Sequence, residues 1–204
     1  MSVPLVLAST SPRRAEILRR LGCSFSVRVP DTPELVFPGE LPAVAARRLA
    51  CAKVAAVSVE PGELLIAADT IVALDGEPLG KPHNPADAVE MLLSLSGREH
   101  QVFTGMALRA RARTEAGVTR TAVRFRSLAR AECEEYVATG EPADKAGAYG
   151  IQGRGSALVE AIDGDFFNVM GLPVQLFLQL LDRLGYRYNF GAIVPVASAP
   201  VTHR

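Results

Sequence analysis

The chain has 204 residues, and its 22 basic and 22 acidic side chains leave a formal net charge of zero at pH 7. This balance argues against binding to nucleic acid or to a membrane surface through bulk charge, so any anion site must be local. The three cysteines form no C-x-x-C pair, and no apolar run approaches the roughly 20 residues of a membrane span. We expect a cytoplasmic protein that is neither exported nor inserted into a membrane.

The N-terminal part of the chain predicts a strand-helix unit followed by a second strand and a second helix. The segment "VPLVLA" has the composition of a buried strand, and a helix is predicted over residues 12–21, with Pro12 in its first turn and Gly22 after its end. A short strand near "FSVRV" precedes an irregular stretch. A helix rich in Ala and Val is then predicted over residues 42–57.

The middle of the chain predicts a long strand, a tight turn and a helix. "ELLIAADTIVALDG" is a continuous apolar run that only Asp69 interrupts, and Asp75-Gly76 is a hairpin signal that returns the chain through "EPLGKP". Asn84 is placed to cap the next helix, which ends before Gly97.

The second half of the chain predicts a long antiparallel hairpin and two further helices. Residues 100–112 and 117–127 alternate in polarity around "TEAG", and the arginines of this hairpin are interpreted as a solvated face because no aromatic residues interleave with them. Helices are predicted over about residues 130–139 and 173–184. From Gly191 onward the chain is predicted to fray.

Two arginines directly after Ser11 and Pro12 are unusual at a helix N-terminus. Arg13 and Arg14 would lie at the positive end of the helix dipole, where a cation is unfavourable unless an anion binds there. Free backbone N–H groups, a serine on the preceding loop and two guanidinium groups together make a phosphate cradle. The alternative is that both arginines face solvent or pair with Glu16 and Glu34.

Asp69 is the second unusual residue, because it is expected at the carboxyl end of a buried strand, where open α/β sheets place ligands. A carboxylate there needs a metal, a cation or hydrogen-bond donors, unless it caps a turn. Taken one at a time, Lys53 and Lys81 look like ordinary surface charges. Gly80 and Pro82, however, hold the backbone in a defined bend and so direct the side chain of Lys81. One acid among two arginines and two lysines suits a polyphosphate with a divalent cation.

Four segments together resemble the Maf family of septum-formation-inhibitor proteins, which are nucleoside triphosphate pyrophosphatases: "LASTSPRR", "AADTIVALDGEPLGKP", "LSGREHQVFTG" and "DKAGAYGIQGRGSALVEAIDGDFFNVMGLP". The resemblance implies an α/β fold similar to inosine-triphosphate pyrophosphatases, with a central mixed sheet flanked by helices, two lobes with a cleft, and often a homodimer. It also implies cleavage of a nucleoside triphosphate between the α and β phosphates with Mg²⁺ or Mn²⁺. We predict one Maf-like domain over residues 1–190 and a flexible tail over residues 191–204.

The resemblance also implies roles for individual residues. The phosphate-binding positions are matched by Ser9, Arg13, Arg14, Lys53 and Lys81, the catalytic acid by Asp69, and the metal site by Asp69 with Glu34. The branch acting on dTTP and UTP is matched by Arg13, Thr70 and Gln152, whereas the branch acting on 7-methyl-GTP has a glutamate in place of Gln152. A glutamine amide both donates and accepts, which suits the O4 and N3–H edge of uracil or thymine.

Several alternatives stay open at this stage. A nucleotidyltransferase also begins with a strand, a phosphate loop and an arginine, and a non-catalytic nucleotide sensor could act on septum formation through a partner. The 7-methyl-GTP branch of the same family is a third alternative. The sequence does not separate Asp69 as a general base from Asp69 as a metal ligand.

Overall fold

The computed structural model describes residues 2–196, which build a seven-stranded mixed sheet with helices packed on both faces. The strands are β1 (Leu5–Leu7), β2 (Phe25–Val27), β3 (Leu64–Leu74), β4 (Glu77–Leu79), β5 (Glu99–Ala110), β6 (Arg113–Phe125), β7 (Val159–Asp163), β8 (Tyr186–Asn189) and β9 (Ala192–Pro195). The helices are α1 (Pro12–Arg20), α2 (Pro42–Ala56), α3 (Pro85–Leu95), α4 (Arg130–Ala138), α5 (Phe166–Met170) and α6 (Val174–Leu184). The sheet order is β2-β1-β3-β5-β6-β7, with β4 also paired to β3. Because β1 runs parallel to β2 and β3 while the other pairs are antiparallel, the predicted mixed sheet is confirmed.

A separate two-stranded sheet, formed by β8 and β9, follows α6. The sequence predicted a flexible tail from residue 191, which includes β9 but not β8, and this is wrong for β9. Ile193 is buried in the core, and its carbonyl oxygen accepts a hydrogen bond of 2.7 Å from the N–H of Val3. The remainder of the predicted tail, residues 197–204, lies outside the described residues.

The alternation of side chains along β3 divides the core into two layers. Even-numbered side chains from Leu64 onward pack with α1, α3 and α6, whereas odd-numbered side chains from Leu65 onward pack with α2. Continuing the alternation places Asp69 on the α2 face of the sheet and Thr70 on the opposite face. The two polar residues that follow the apolar half of β3 therefore reach different sides of the site.

Helix α2 packs very closely on the sheet. A Cβ atom at Gly105 of β5 would come 2.1 Å from the carbonyl oxygen of Ala46, so only glycine permits this approach. The buried stripe of α2 includes Ala46, Ala50 and Lys53, which are spaced four and three residues apart. Lys53 therefore belongs to the apolar stripe that faces the sheet, although it carries a charge.

The long hairpin of β5 and β6 forms as predicted, but its turn lies elsewhere. The strands are joined at Arg111, whose φ is +55°, because Ala110 and Arg113 are the last paired residues. The predicted turn "TEAG" lies inside β6. There a Cβ atom at Gly117 would come 2.7 Å from Cδ1 of Leu176 on α6, so this glycine permits helix packing rather than a turn.

Candidate active site

A cleft of about 620 Å³ opens beside β3. Its walls come from the β1–α1 loop, the segment before α2, α2 itself, the loop after β4 and the glycine-rich segment between α4 and β7. The cleft is lined by all nine residues predicted for the site: Ser9, Arg13, Arg14, Glu34, Lys53, Asp69, Thr70, Lys81 and Gln152. The structure therefore brings together residues that are up to 143 positions apart in the sequence, Ser9 and Gln152 being the two extremes.

The cleft has a simple origin in the pairing of β3. On one edge of β3, β1 pairs as far as Ile66 and β4 pairs from Val72 onward, so no strand of the described residues pairs with the edge between them. Asp69 and Thr70 lie in this gap. The sequence predicted Asp69 at the carboxyl end of its strand, which is wrong because β3 continues to Leu74. It is the end of β1, rather than the end of β3, that opens the sheet here.

Lys53 is the centre of one half of the cleft. Its Nζ lies 2.5 Å from Oδ1 of Asp69 and 2.5 Å from Oε1 of Glu34. Lys53 and Asp69 are only 5% and 7% exposed, so each compensates a charge that would be very unfavourable alone. Burial raises the pKa of Glu34, but the hydrogen bond and charge of Lys53, with the charges of Lys81 and Arg14, lower it below its ordinary value. Glu34 is therefore a carboxylate at neutral pH.

Arg14 is the centre of the other half, and its guanidinium group is held at three points. Nε donates to the carbonyl oxygen of Gly171 at 2.9 Å, Nη1 donates to Oγ of Ser9 at 3.0 Å, and Nη2 donates to Oγ1 of Thr70 at 3.3 Å. All three acceptors are neutral, so none of them compensates the positive charge. Arg14 is therefore a fixed, buried cation.

The charge of Arg14 is also supported electrostatically by the other half of the cleft. Burial lowers the pKa of Arg14, while the carboxylates of Asp69 and Glu34 act in the opposite direction. A guanidinium group stays protonated in proteins because its pKa starts far above neutral. Both alternatives considered from the sequence, exposure to solvent and pairing with Glu16 or Glu34, are wrong for Arg14.

The N-terminus of α1 adds to the positive potential of the cleft. Ser11 occupies the N-cap position, but its side chain makes no capping hydrogen bond, and the first turn of α1 contains no acidic residue. Arg13 follows, 27% exposed, with its Nη1 3.7 Å from Oδ2 of Asp144. Backbone N–H groups without a side-chain cap lie here beside two arginines, an arrangement that favours the binding of an anion.

Gln152 and Lys81 lie at the rim of the cleft. Nε2 of Gln152 donates to Oε2 of Glu16 at 2.9 Å, and because a carboxylate only accepts, this bond fixes which end of the amide is nitrogen. Lys81 is exposed and forms no ion pair within residues 2–196. Its loop is held by the N–H of Gly147, which donates to the carbonyl oxygen of Gly80 at 3.0 Å.

Sequence reasoning missed two charged residues of the cleft. Asp144 and Lys145 also line it, and Nζ of Lys145 donates to Oδ1 of Asp144 at 2.6 Å and to the carbonyl oxygen of Glu141 at 2.5 Å. Both belong to the motif that begins "DKAGAYG". An adjacent acid and base in a glycine-rich segment show no periodicity, so only the family resemblance of this motif distinguishes them from surface charges.

A comparison with models of protein families matches residues 4–184 to Maf, described as Maf-like protein. The chain belongs to the Maf family. A dTTP/UTP pyrophosphatase of Symbiobacterium thermophilum is 51% identical over 183 residues, which cover 89% of this chain and 94% of the relative. Proteins of the same name from Moorella thermoacetica and Anaeromyxobacter dehalogenans are 51% and 48% identical, over 89% and 91% of this chain and 95% and 96% of the relatives.

Solved structures of other proteins also match part of the chain. A nucleoside-triphosphatase or dITP/XTP pyrophosphatase from Mycobacterium abscessus matches 60% of this chain and 74% of its own, with 17% identity and a TM-score of 0.39. A HAM1 protein from Coxiella burnetii matches 60% and 73%, with 16% identity and a TM-score of 0.40. Matches this weak carry no information about the residues of the cleft.

The Maf resemblance implies a divalent cation, and the donors of the cleft fit one. Within residues 2–196 no group of three His, Cys, Asp or Glu side chains comes together. In phosphate sites, however, Mg²⁺ is usually held by one or two carboxylates, with phosphate oxygens and water completing its shell. Asp69 and Glu34, whose oxygens both contact Lys53, supply such a pair of carboxylates.

Proposed function

We propose that this Maf-family chain hydrolyses nucleoside triphosphates between the α and β phosphates, with dTTP and UTP as preferred substrates. The products are a nucleoside monophosphate and pyrophosphate. The observation that carries the proposal is the buried Lys53 between two carboxylates, in a cleft that also holds the fixed cation of Arg14. The names of the relatives, which are about half identical over nearly all of the chain, support the same reaction.

The charges of the cleft suit a polyphosphate. Five cationic side chains, two arginines and three lysines, line it against the carboxylates of Asp69, Glu34 and Asp144. When the bond between the α and β phosphates breaks, negative charge grows on the departing pyrophosphate. Cations that are already fixed in place stabilise that growing charge without having to reorganise. We assign this role to Arg13, Arg14, Lys53 and Lys81, with Ser9 holding Arg14.

Asp69 is proposed to act on the attacking water or to hold the metal. Hydrolysis adds the hydroxyl of water to one phosphorus of the anhydride, while the bridging oxygen leaves with the other phosphoryl group and the second proton of water must be accepted. Oδ1 of Asp69 is engaged by Lys53, and the hydrogen bonds of the described residues leave Oδ2 for that proton. As a metal ligand, Asp69 would instead act together with Glu34, and the bound Mg²⁺ or Mn²⁺ would neutralise phosphate charge.

Gln152 is proposed to read the base. Its carbonyl oxygen can accept from N3–H of uracil or thymine while its second amide hydrogen donates to O4. Glu16 holds the amide nitrogen, so the amide cannot turn over without losing that hydrogen bond. Cytosine presents the opposite pattern, with an acceptor at N3 and a donor at N4, and so would require the opposite orientation of the amide. Arg13, in the same cleft, matches the same branch.

The proposal is tested by measuring pyrophosphate release from dTTP, UTP, CTP, ATP, GTP and 7-methyl-GTP with Mg²⁺ or Mn²⁺. We expect UTP and dTTP to be cleaved about tenfold to a hundredfold faster than the purine nucleotides, because lost hydrogen bonds at a buried base edge cost about 1–3 kcal/mol. Tight binding of dTTP without release of pyrophosphate would support the nucleotide sensor instead. Turnover only with an added acceptor would support the nucleotidyltransferase, and a preference for 7-methyl-GTP would support the other branch.

The base-reading role has its own pair of variants. Gln152→Glu places a second carboxylate beside Glu16, so its effect mixes lost recognition with charge repulsion. The double variant Glu16→Gln with Gln152→Glu exchanges the two groups and removes the repulsion. We expect both variants to lower the ratio of dTTP to GTP cleavage by about tenfold or more. An unchanged ratio in the double variant would show that this position does not read the base.

We further propose a cytoplasmic location, a homodimer and a housecleaning or cell-division-linked role. None of the helices within residues 2–196 has both the length and the apolar character to cross a lipid bilayer. The three cysteines are free thiols, which suits a reducing compartment.

The homodimer rests on the family resemblance, and light scattering coupled to size-exclusion chromatography measures it directly.

A further inference from the structure

Behind Arg14, a series of hydroxyl groups connects the cleft to Asn168 of α5 along one face of the sheet. We propose that Thr104 is a positioning residue, which acts through Thr70 to hold the guanidinium of Arg14 in the orientation that binds substrate phosphate. The inference rests on the proposed function only in assigning phosphate to Arg14. It concerns Thr104 and Asn168, which the sequence did not single out.

The direction of each hydrogen bond in this chain follows from chemistry. Oγ1 of Thr104 lies 2.8 Å from the carbonyl oxygen of Asn168, and since a carbonyl only accepts, the single hydroxyl hydrogen of Thr104 points there. Oγ1 of Thr104 must then accept from Thr70, whose Oγ1 is 3.0 Å away. Thr70 in turn accepts from Nη2 of Arg14 at 3.3 Å. All donors therefore run in one direction, from Arg14 to Asn168.

The end of this hydrogen-bond series that lies farthest from Arg14 is held by several further hydrogen bonds. Thr104 and Asn168 are completely buried, and Oδ1 of Asn168 accepts from the backbone N–H of Thr104 at 3.1 Å. Nδ2 of Asn168 donates to the carbonyl oxygen of Val102 and to Oγ1 of Thr121, each at 2.9 Å. The side chain of Asn168 is thus bonded to both β5 and β6. A buried polar group with all of these partners satisfied has one arrangement, and it imposes that arrangement on Thr104.

The consequence for Thr70 is specific. Its one hydroxyl hydrogen is used by Thr104, so Thr70 has none to donate to a phosphate oxygen. Its hydroxyl oxygen instead presents an acceptor to Arg14, and Ser9 and Gly171 provide the other two. Three acceptors on three different segments of chain define the plane of the guanidinium. The resemblance implied that Thr70 selects the base, whereas this geometry assigns Thr70 to the phosphate end of the substrate.

The test compares Thr104→Val, which has the same shape without the hydroxyl, with Thr104→Ser, which keeps it. Thr119→Val is the matched control, because Thr119 pairs with Thr104 across β5 and β6 and its hydroxyl makes no hydrogen bond within the described part of the chain. We expect Thr104→Val to weaken pyrophosphate binding, and to raise KM for UTP, dTTP and ATP alike, by about fivefold to twentyfold. Thr104→Ser and Thr119→Val should stay within about twofold of the unsubstituted protein.

A double-mutant cycle separates positioning from a general loss of structure. Arg14→Lys keeps the charge but cannot contact Ser9, Thr70 and Gly171 at once. In the Arg14→Lys background, Thr104→Val should weaken pyrophosphate binding by less than about twofold, because the group that it positions is gone. An equal effect in both backgrounds would overturn the proposal, and so would a change in the ranking of bases.

Two further measurements keep the outcome unambiguous. Calorimetric titration with pyrophosphate alone gives the same comparison if the protein cleaves no triphosphate, so failure of the proposed function is distinguishable from failure of this inference. If Thr104→Val does not fold, as judged by its thermal melting, Thr70→Val and Thr70→Ser take its place. Weaker pyrophosphate binding by Thr70→Val with recovery in Thr70→Ser supports the proposal, and equal binding by the two variants overturns it.

Discussion

Replacing Lys53 by methionine isolates the electrostatic centre of the cleft. The substitution keeps most of the aliphatic stem but removes the charge that lies between Asp69 and Glu34. Because each carboxylate oxygen is 2.5 Å from the same Nζ, the two oxygens are no more than about 5 Å apart. With an effective dielectric constant of about 20, two charges at that separation repel by about 3 kcal/mol. Solvent screening at the half-exposed Glu34 reduces this, so we expect Lys53→Met to lower the free energy of unfolding by about 2–3 kcal/mol at pH 7.

The pH dependence of this loss has a definite sign. In the unsubstituted protein the pKa of Glu34 is lowered, despite burial, mainly by Lys53, so its contribution to stability is present at neutral pH and is lost as the pH falls below the ordinary range of a glutamate. Without Lys53, burial still raises the pKa of Glu34, and only the charges of Lys81 and Arg14 remain to lower it. The variant should then regain stability relative to the unsubstituted protein as the pH falls from 7 to about 4, because protonation removes the repulsion.

Urea unfolding at pH 7 and pH 5 measures both effects, with Lys81→Met as the control. Lys81 lines the same cleft but is exposed and forms no ion pair within residues 2–196, so its replacement should change the unfolding free energy by less than about 0.5 kcal/mol. Equal stability of the two variants at pH 7 would refute the reasoning. A difference that grows rather than shrinks at pH 5 would refute it too.

Two further substitutions test the packing at Gly171 and the acid sensitivity that arises from His100. Gly171→Ala introduces a Cβ atom 3.1 Å from Oγ1 of Thr70 and 3.4 Å from Nε of Arg14, at a φ of +102°. We expect it to lower the free energy of unfolding, measured by thermal melting, by about 1–3 kcal/mol and to weaken pyrophosphate binding. Unchanged binding would mean that Arg14 tolerates displacement. His100 is buried, and burial lowers its pKa to about 4. Between pH 6.5 and pH 4 only the unfolded chain takes up a proton at this residue, so the free energy of unfolding should fall by up to about 3 kcal/mol over that range. His100→Gln, which does not titrate, should remove this part of the acid sensitivity in urea unfolding, and an unaltered pH profile would contradict that assignment.

Much of the fold follows from local signals in the sequence. The turn at Asp75-Gly76 forms with φ angles of +53° and +87°, and Asn84 caps α3 by accepting from the N–H of Asp87, as the sequence predicts. The failures are positions where a glycine has a tertiary role. Gly117 resembles a turn residue, but it is needed because α6 packs closely against it. That contact involves Leu176, about 60 positions away, so local sequence signals do not reveal it.

The membership of the site was more predictable than its internal geometry. Charges in unfavourable places singled out Arg14 at a helix N-terminus and Asp69 in an apolar strand, whereas Thr70 and Gln152 came only from the family resemblance. The pairing within it could not be predicted, because it depends on which face of β3 each residue occupies and on where β1 ends. One usable signal was overlooked: Lys53 continues the apolar spacing of α2, which indicates a buried lysine and therefore a buried carboxylate partner.

The central claim is that Asp69 is essential for triphosphate hydrolysis and that the chain still folds when its charge is removed. Asn in place of Asp69 keeps the shape and an oxygen that can accept from Lys53, but it can neither take a proton from water at neutral pH nor supply a charged ligand to a metal. Pyrophosphate release from dTTP with Mg²⁺ or Mn²⁺ should fall by at least about a hundredfold in Asp69→Asn. Circular dichroism should still show a folded protein, which melts at a lower temperature because Lys53 keeps only one charged partner, Glu34. Release of pyrophosphate by Asp69→Asn at close to the unsubstituted rate would contradict the claim.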